Sequence, residues 1–189
     1  MEPGTGMDML EDPHATPAPG QGALPPGHPA IEQPGAGIAT QGTHATSLVW
    51  KAPASFAEAP NPSKMRLATY KVPRAGNDRD DAELSVTVAG GDVTANIERW
   101  AGQFEGGATP KKTARTVGTL KVTLVELSGT YMGGMGALSG SHPNWTLYAA
   151  IVETAAGEST FFKMTGPTAT VKAGTAAFDA MIGGLTPAG

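Results

Sequence analysis

The chain has 189 residues, 26 of them Gly and 16 Pro, no Cys, 40% hydrophobic and 6% aromatic residues, and a formal charge of −4. That length suits one ordinary domain with a modest core, and the lack of Cys excludes disulfides, zinc ribbons, iron–sulfur clusters and thiol nucleophiles. The slightly acidic balance, without basic blocks, speaks against nucleic acid or an anionic membrane as partner, and no run reaches the about 18–20 apolar residues of a membrane-spanning helix.

Residues 1–45 hold eight Pro, eight Gly, five acids, no Lys or Arg and no aromatic residue. Such a segment buries too little apolar surface to offset the entropy of ordering its backbone, so it reads as a disordered, semi-stiff acidic arm. Residues 46–189 carry all 13 bases and 12 of the 17 acids, and they read as a single near-neutral domain. Met1 to Leu10 has acids where a secretory signal has a basic start, and no apolar stretch follows, so no export signal is read there.

Within the domain, Trp50 and Phe56 lie in a Pro-punctuated segment and are expected to seal a sheet edge or core rim. Met65–Val72 and Ala82–Ala89 alternate with period two, as half-buried strands do. In the second, Leu84, Val86 and Val88 point one way, and Ser85 and Thr87 the other. Between the two strands, Arg74–Asp81 is a polar turn. Asp92 is a natural N-cap, and Val93, Ile97, Trp100, Ala101 and Phe104 then fall on one face of a helix that Gly106-Gly107 closes.

Leu120–Leu127 predicts a strand continuing through Tyr131. Its alternation slips at Val125 and Leu127, which suggests a bulge there. Met132–Asn144 reads as a flexible loop. Trp145–Glu153 and Ser159–Thr165 form a hairpin through Ala156-Gly157. Val171, Phe178, Met181, Ile182 and Leu185 mark a last amphipathic helix ending near Gly183-Gly184. The order β-β-α-β-β-β-α, with strands too close in sequence for parallel crossovers, predicts an α+β fold with two main helices packed on an antiparallel sheet.

These residues specify an architecture and a few places where a ligand could bind, and they point to no reaction. Soft ligands for copper occur as Met7, Met9, His14, His28 and His44 in the arm, and as Met132, Met135 and His142 in the loop, with Gly133 and Gly134 to let the loop close. The competing reading is incidental arm residues and a gap-filling loop Met. Asp78, Asp80, Asp81 and Glu83 lack the central Gly and ordered oxygens of a calcium loop, so they read as a solvated turn partnered by Arg74 and Arg79. Lys111, Lys112 and Arg115 read as loop solvation. The glycines and serines of 134–141 match neither a phosphate loop nor a nucleophile elbow.

Phe161 and Phe162 must face opposite sides of the sheet, one toward the helix layer and the other toward solvent or a second layer. If the outward one stays uncovered with Tyr131, Trp145 or Tyr148, the result is an apolar patch suited to a partner. Tyr131, Met132, Met135, His142, Trp145 and Tyr148 are therefore the candidate ligand- or partner-binding residues, and no cofactor is expected.

The run Phe161–Leu185 (FFKMTGPTATVKAGTAAFDAMIGGL) resembles the closing segment of PsbP-like domains, a fold shared with Mog-type Ran-binding proteins. MRLATYKVP, AELSVTVAGG, NIERWAGQF, YAAIVE and FFKMTGP are also similar to uncharacterised bacterial secreted or lipid-anchored proteins in which a Pro-rich linker precedes such a domain. The resemblance spans roughly residues 46–185, and it implies a PsbP-like fold and a cell-envelope location. The family's usual lipobox Cys ahead of the linker has no counterpart here. The expected function is a non-enzymatic binding or accessory module of the envelope for a protein or small ligand. The alternative is a soft-metal (copper) protein, and a hydrolase using carboxylates near Asp80 ranks last.

Overall fold

The computed structural model describes residues 47–133, 139–154 and 158–188. The 1–45 arm and the Ala156-Gly157 turn lie outside them. The fold is α+β. Seven strands form one antiparallel sheet in the order β2(Ala57–Ala59)-β3(Arg66–Val72)-β4(Ala82–Gly90)-β8(Glu158–Pro167)-β7(Gly140–Glu153)-β6(Leu120–Gly133)-β5(Lys111–Val117). The short strands β1(Leu48–Val49) and β9(Thr186–Pro187) pair separately. The two helices are α1(Val93–Ala101) and α2(Thr168–Gly183).

Every strand with a clear two-residue period is found where the sequence puts it. Four strands were not foreseen. β1, β2 and β9 have two or three residues each, too short for a period to show. β5, with the sequence KKTARTV, is an exposed edge strand that turns almost no apolar face inward. Lys111, Lys112 and Arg115 are therefore strand residues, a correction to their reading as loop solvation. Their charges suit an edge, where they discourage pairing with other chains.

The slip of alternation in β6 is likewise no bulge at Val125. The β6–β7 register runs unbroken from Lys121↔Glu153 to Gly129↔Trp145 and shifts only before Tyr131↔His142. There Pro143 and Asn144 oppose Thr130, and Asn144 adopts φ 58°, a left-handed backbone that Asn tolerates better than most residues. Val125 and Leu127 break the alternation because β6 is buried on both faces. Leu120, Val122 and Leu124 belong to one core and Val125 and Leu127 to the other. The expected loop over Met132–Asn144 is also shorter than read, since Met132 and Gly133 pair with Ser141 and Gly140 as an extension of the hairpin.

Two cores flank the sheet. On one face α2 brings Val171, Phe178, Met181 and Ile182 onto Leu84, Val86, Val122, Val152, Phe162 and Met164. Trp50 stands edge-on to Phe162 at 5.4 Å and Phe56 is buried, so both close this core's rim as expected. On the other face Ile97, Trp100 and Phe104 cover Val125, Leu127, Leu147, Ala149, Ile151 and Phe161, and Trp100 stands edge-on to Phe161 at 5.6 Å. Phe161 and Phe162 thus do point to opposite sides, each into a core.

Capping ties these helices to the loops. Asp92 Oδ1 accepts from the Thr94 and Ala95 amides at 2.8 and 3.1 Å, as its position predicts. The α2 cap residue, Pro167, makes no side-chain capping bond. Asp78, from the β3–β4 turn, takes that part: its Oδ2 accepts from the Thr170 amide and hydroxyl, both at 2.7 Å. Asp81 and Glu83 also find structural partners. Arg74 donates its amide to Asp81 and its guanidinium to the Arg79 carbonyl, and Arg66 pairs with Glu83 at 2.8 Å.

Candidate functional site

The uncovered aromatic patch expected around Tyr131, Trp145 and Tyr148 does not form. Tyr131 and Trp145 are buried in the α1 core. Residues 103–105 lie alongside the far end of β6, with Glu105 N donating to Thr130 O at 2.9 Å and Met132 N to Gln103 O at 2.7 Å. That pairing brings Phe104 edge-on to Tyr131 at 5.4 Å, while Trp145 stacks on Tyr131 at 5.8 Å and on His142 at 4.2 Å. The sequence could not show this cover, because it depends on a non-strand segment extending the sheet edge.

Tyr148 lies on the opposite, α2 face. Its ring stands against Phe178 at 5.2 Å and its hydroxyl donates to Asp179 Oδ1 at 3.0 Å. Burial, followed by the hydrogen bond and charge of Asp179, pushes this phenol up to about 12. The protonated form is thus favoured by folding, and its stabilisation is complete below pH 10 and lost as pH rises through about 12. Tyr148→Phe is expected to cost about 1 kcal/mol at neutral pH and to flatten the fall of the urea midpoint between pH 10 and 12. An unchanged alkaline slope would show that Tyr148 is not the group responsible.

Met132 and His142 do not converge. Tyr131 and His142 are cross-strand partners, so the adjacent Met132 points to the other side of the hairpin. Met135, Met7, Met9, His14, His28 and His44 lie outside the described residues. Among the described residues no group of three or more His, Asp or Glu could hold a metal ion.

A different set of side chains does come together. The α1 core covers only part of its sheet face, and towards β3 and β4 the same face turns polar. Thr69, Ser85 and Lys163 are aligned across β3, β4 and β8, with Lys71, Glu83 and Thr165 in the next row. Thr69, Ser85 and Thr165 are buried, and Lys163 is half-buried. Arg66 lies over this region, reaching Glu83 Oε1 at 2.8 Å and Thr69 Oγ1 at 3.4 Å. Thr69 in turn donates to Asn61 Oδ1 at 2.9 Å, and Ser85 donates to the Lys163 carbonyl at 3.4 Å. An open hollow of about 420 Å³ adjoins these rows, lined by Ala59, Pro60, Pro62, Thr69, Lys71 and Asp80–Glu83.

Two polar groups in this region are unmatched. The Lys163 ammonium makes no hydrogen bond or ion pair among the described residues. Thr165 Oγ1 is buried without a hydrogen-bond partner. Burial pushes the Lys163 ammonium below the usual lysine range; Arg66 and Arg99 add to the effect and Glu83 opposes it. The same surroundings reach Tyr131, whose phenol is raised by burial and by Glu83 and lowered by Arg66. A buried polar atom left unpaired costs about 1–3 kcal/mol; that cost falls on the Thr165 hydroxyl, while the Lys163 ammonium is not among the fully buried atoms.

Sequence reasoning misses Lys163, because the Phe pair dominates the FFKMT segment. The signal was nonetheless present. Alternation puts Lys163 on the same side as Phe161, and Ser85 and Thr87 on the face opposite Leu84 and Val86. The sequence does not say that these polar residues are neighbours across β4 and β8.

No protein-family model matches the chain, and no curated protein matches it. Among solved structures it resembles a protein of unknown function, PA94, from Pseudomonas aeruginosa, at 15% identity and a TM-score of 0.46 over 63% of this chain and 81% of that one. It also resembles the cyanobacterial PsbP (CyanoP) of Synechocystis sp. PCC 6803, at 14% identity and a TM-score of 0.45 over 79% of this chain and 98% of that one. A PsbP is thus among the structures it resembles. The α+β assignment stands on the chain's own sheet order.

Proposed function

We propose that this domain is a non-enzymatic binding or accessory module of the bacterial cell envelope, and that it receives its ligand on the polar part of the α1 face. The observation that carries the binding reading is the half-buried Lys163, whose ammonium makes no hydrogen bond or ion pair among the described residues and which stands in one row of the sheet with Thr69 and Ser85. A cation that the fold leaves without a partner is one that a bound molecule bringing an acceptor would complete. The envelope setting is supported by the sequence resemblance to secreted and lipid-anchored bacterial proteins. It replaces the aromatic-patch site, whose rings are core.

Native mass spectrometry on the full chain, purified without denaturation from cells that make it naturally, tests the reading without naming the ligand. The expected result is a stoichiometric adduct that denaturation removes and that is absent from Lys163→Met, which keeps the stem's bulk and loses the charge. A bare chain in both samples, or the same adduct on both, would overturn binding at this face. Fractionation of the same cells tests the compartment, and recovery in the cytoplasmic fraction alone would remove the envelope part.

A further inference from the structure

We propose that β5 is a docking edge, and that it takes an extended acidic segment of a partner protein as an eighth strand of the sheet. β5 ends the strand order, three places from the strand that carries Lys163, so this surface is separate from the one above. Alternate residues of an edge strand turn both N–H and C=O outward. Among the described residues, no hydrogen bond reaches the outer backbone of β5.

Such an edge is usually closed by a proline, a bulge or a very short strand. The opposite edge has two of these devices: β2 is three residues long, and Pro60 follows it directly. β5 has none. It runs seven residues without a proline, and its register with β6 is unbroken from Lys111↔Glu126 to Val117↔Leu120. Only charge guards it, and charge selects by sign. Lys111, Lys112 and Arg115 are matched by no acid within the strand. A second copy's β5 would bring three more bases to the same strip, whereas an acidic strand would meet opposite charge.

The bases occupy both faces. Arg115 opposes Val122 of the α2 core, so it and Lys111 share that side, while Lys112 opposes Val125 on the other. Arg115 donates to the Asp179 carbonyl at 3.3 Å. Lys111 stands 3.7 Å from Glu126 with its side chain 81% exposed, a pair worth little in water. Lys112 makes no ion pair or hydrogen bond among the described residues. Both lysines are therefore free to meet a partner's acids. Apart from Val117 the strand has no large apolar side chain, so recognition falls to main-chain hydrogen bonds and charge.

The test follows the Lys111–Val117 amides of the full chain by NMR at low ionic strength, during titration with the capped peptide TEVEVET and, in parallel, TQVQVQT and TKVKVKT. The acidic peptide is expected to give saturable shifts at these amides with a Kd on the order of 1 mM. The neutral peptide should bind about tenfold more weakly, and the basic one should give no saturable change. TEVEVET N-methylated at every second residue, made in both phases, separates strand addition from adsorption. The phase that blocks the donors facing β5 should abolish the shifts, and the other phase should keep them. The chain carrying Lys111→Glu and Lys112→Glu, both at exposed positions, should prefer TKVKVKT to TEVEVET.

Four results would overturn the proposal: no saturable shift with TEVEVET, equal affinity for TQVQVQT, equal binding of the two methylated phases, or an unchanged preference in the doubly substituted chain. Shifts at these amides that grow with protein concentration alone would give the edge to a second copy of this chain instead.

Discussion

Phe178→Ala is expected to lower the stability of this domain by about 3–5 kcal/mol. Phe178 is fully buried at the centre of α2, packed edge-on to Tyr148 at 5.2 Å within the core that α2 makes with Phe162 and Met164. Removing the ring forfeits its transfer from water and leaves a cavity. The surrounding strands are hydrogen-bonded on both sides, so they cannot collapse to fill it. Domains of this size are held by about 5–15 kcal/mol in all, so this one substitution should bring the fold close to the edge. Urea unfolding checks it: the midpoint should fall with little change in slope. Met65→Ala, at a residue 71% exposed, is the control and should stay within about 0.5 kcal/mol of the parent. A loss at Phe178 of less than about 1 kcal/mol would mean that α2 is not seated as described.

The second large effect comes from adding an atom. A Cβ on Gly166 would stand 2.5 Å from the Ala82 Cβ and 2.7 Å from its Cα, distances that Cβ atoms essentially never show. Gly166 is held in register opposite Thr146, and Ala82 lies at the start of β4 opposite Val72. Neither backbone is free to move away. Gly-to-Ala changes commonly gain about 0.4–1 kcal/mol by restricting the unfolded chain. Here the clash should exceed that gain, and Gly166→Ala is expected to destabilise by about 1–3 kcal/mol. The double variant Gly166→Ala with Ala82→Gly should recover part of the loss, because it removes the 2.5 Å contact and keeps the 2.7 Å one. A coupling below about 0.5 kcal/mol in this cycle, or a single variant as stable as the parent, would count against so close an approach of the two strands.

These two expectations differ in what the sequence alone could have supplied. Phe178 belongs to the 3.6-residue pattern of Val171, Phe178, Met181 and Ile182, so its role as a helix anchor follows from spacing. The Gly166–Ala82 contact joins residues distant in sequence, and no local pattern reports it. The same division runs through the candidate site. That Ser85 and Thr87 oppose Leu84 and Val86 follows from alternation in one strand, and so does the opposition of Phe161 and Phe162. That Tyr131 and Trp145 are sealed under Phe104, while Lys163 sits among Thr69, Ser85 and Glu83, depends on which strands are neighbours.

The β6 alternation shows how one strand can mislead. Val125 and Leu127 look out of phase only if one face of the sheet is assumed to meet water. With helices on both faces, each phase is buried and the irregularity vanishes. Edge strand β5 misleads in the other direction, since a strand with no apolar face to bury carries no period to read.

By itself, then, the amino-acid order determined the principal strands, both helices, the Asp92 cap and the antiparallel α+β class, because periodicity and capping are local consequences of backbone geometry. The tertiary structure decided the sheet order, the second covered face, the Asp78 cap of α2 and the meeting of Lys163 with Thr165, Ser85 and Glu83. Those are contacts between distant segments, and they exist only once the strands have chosen their partners.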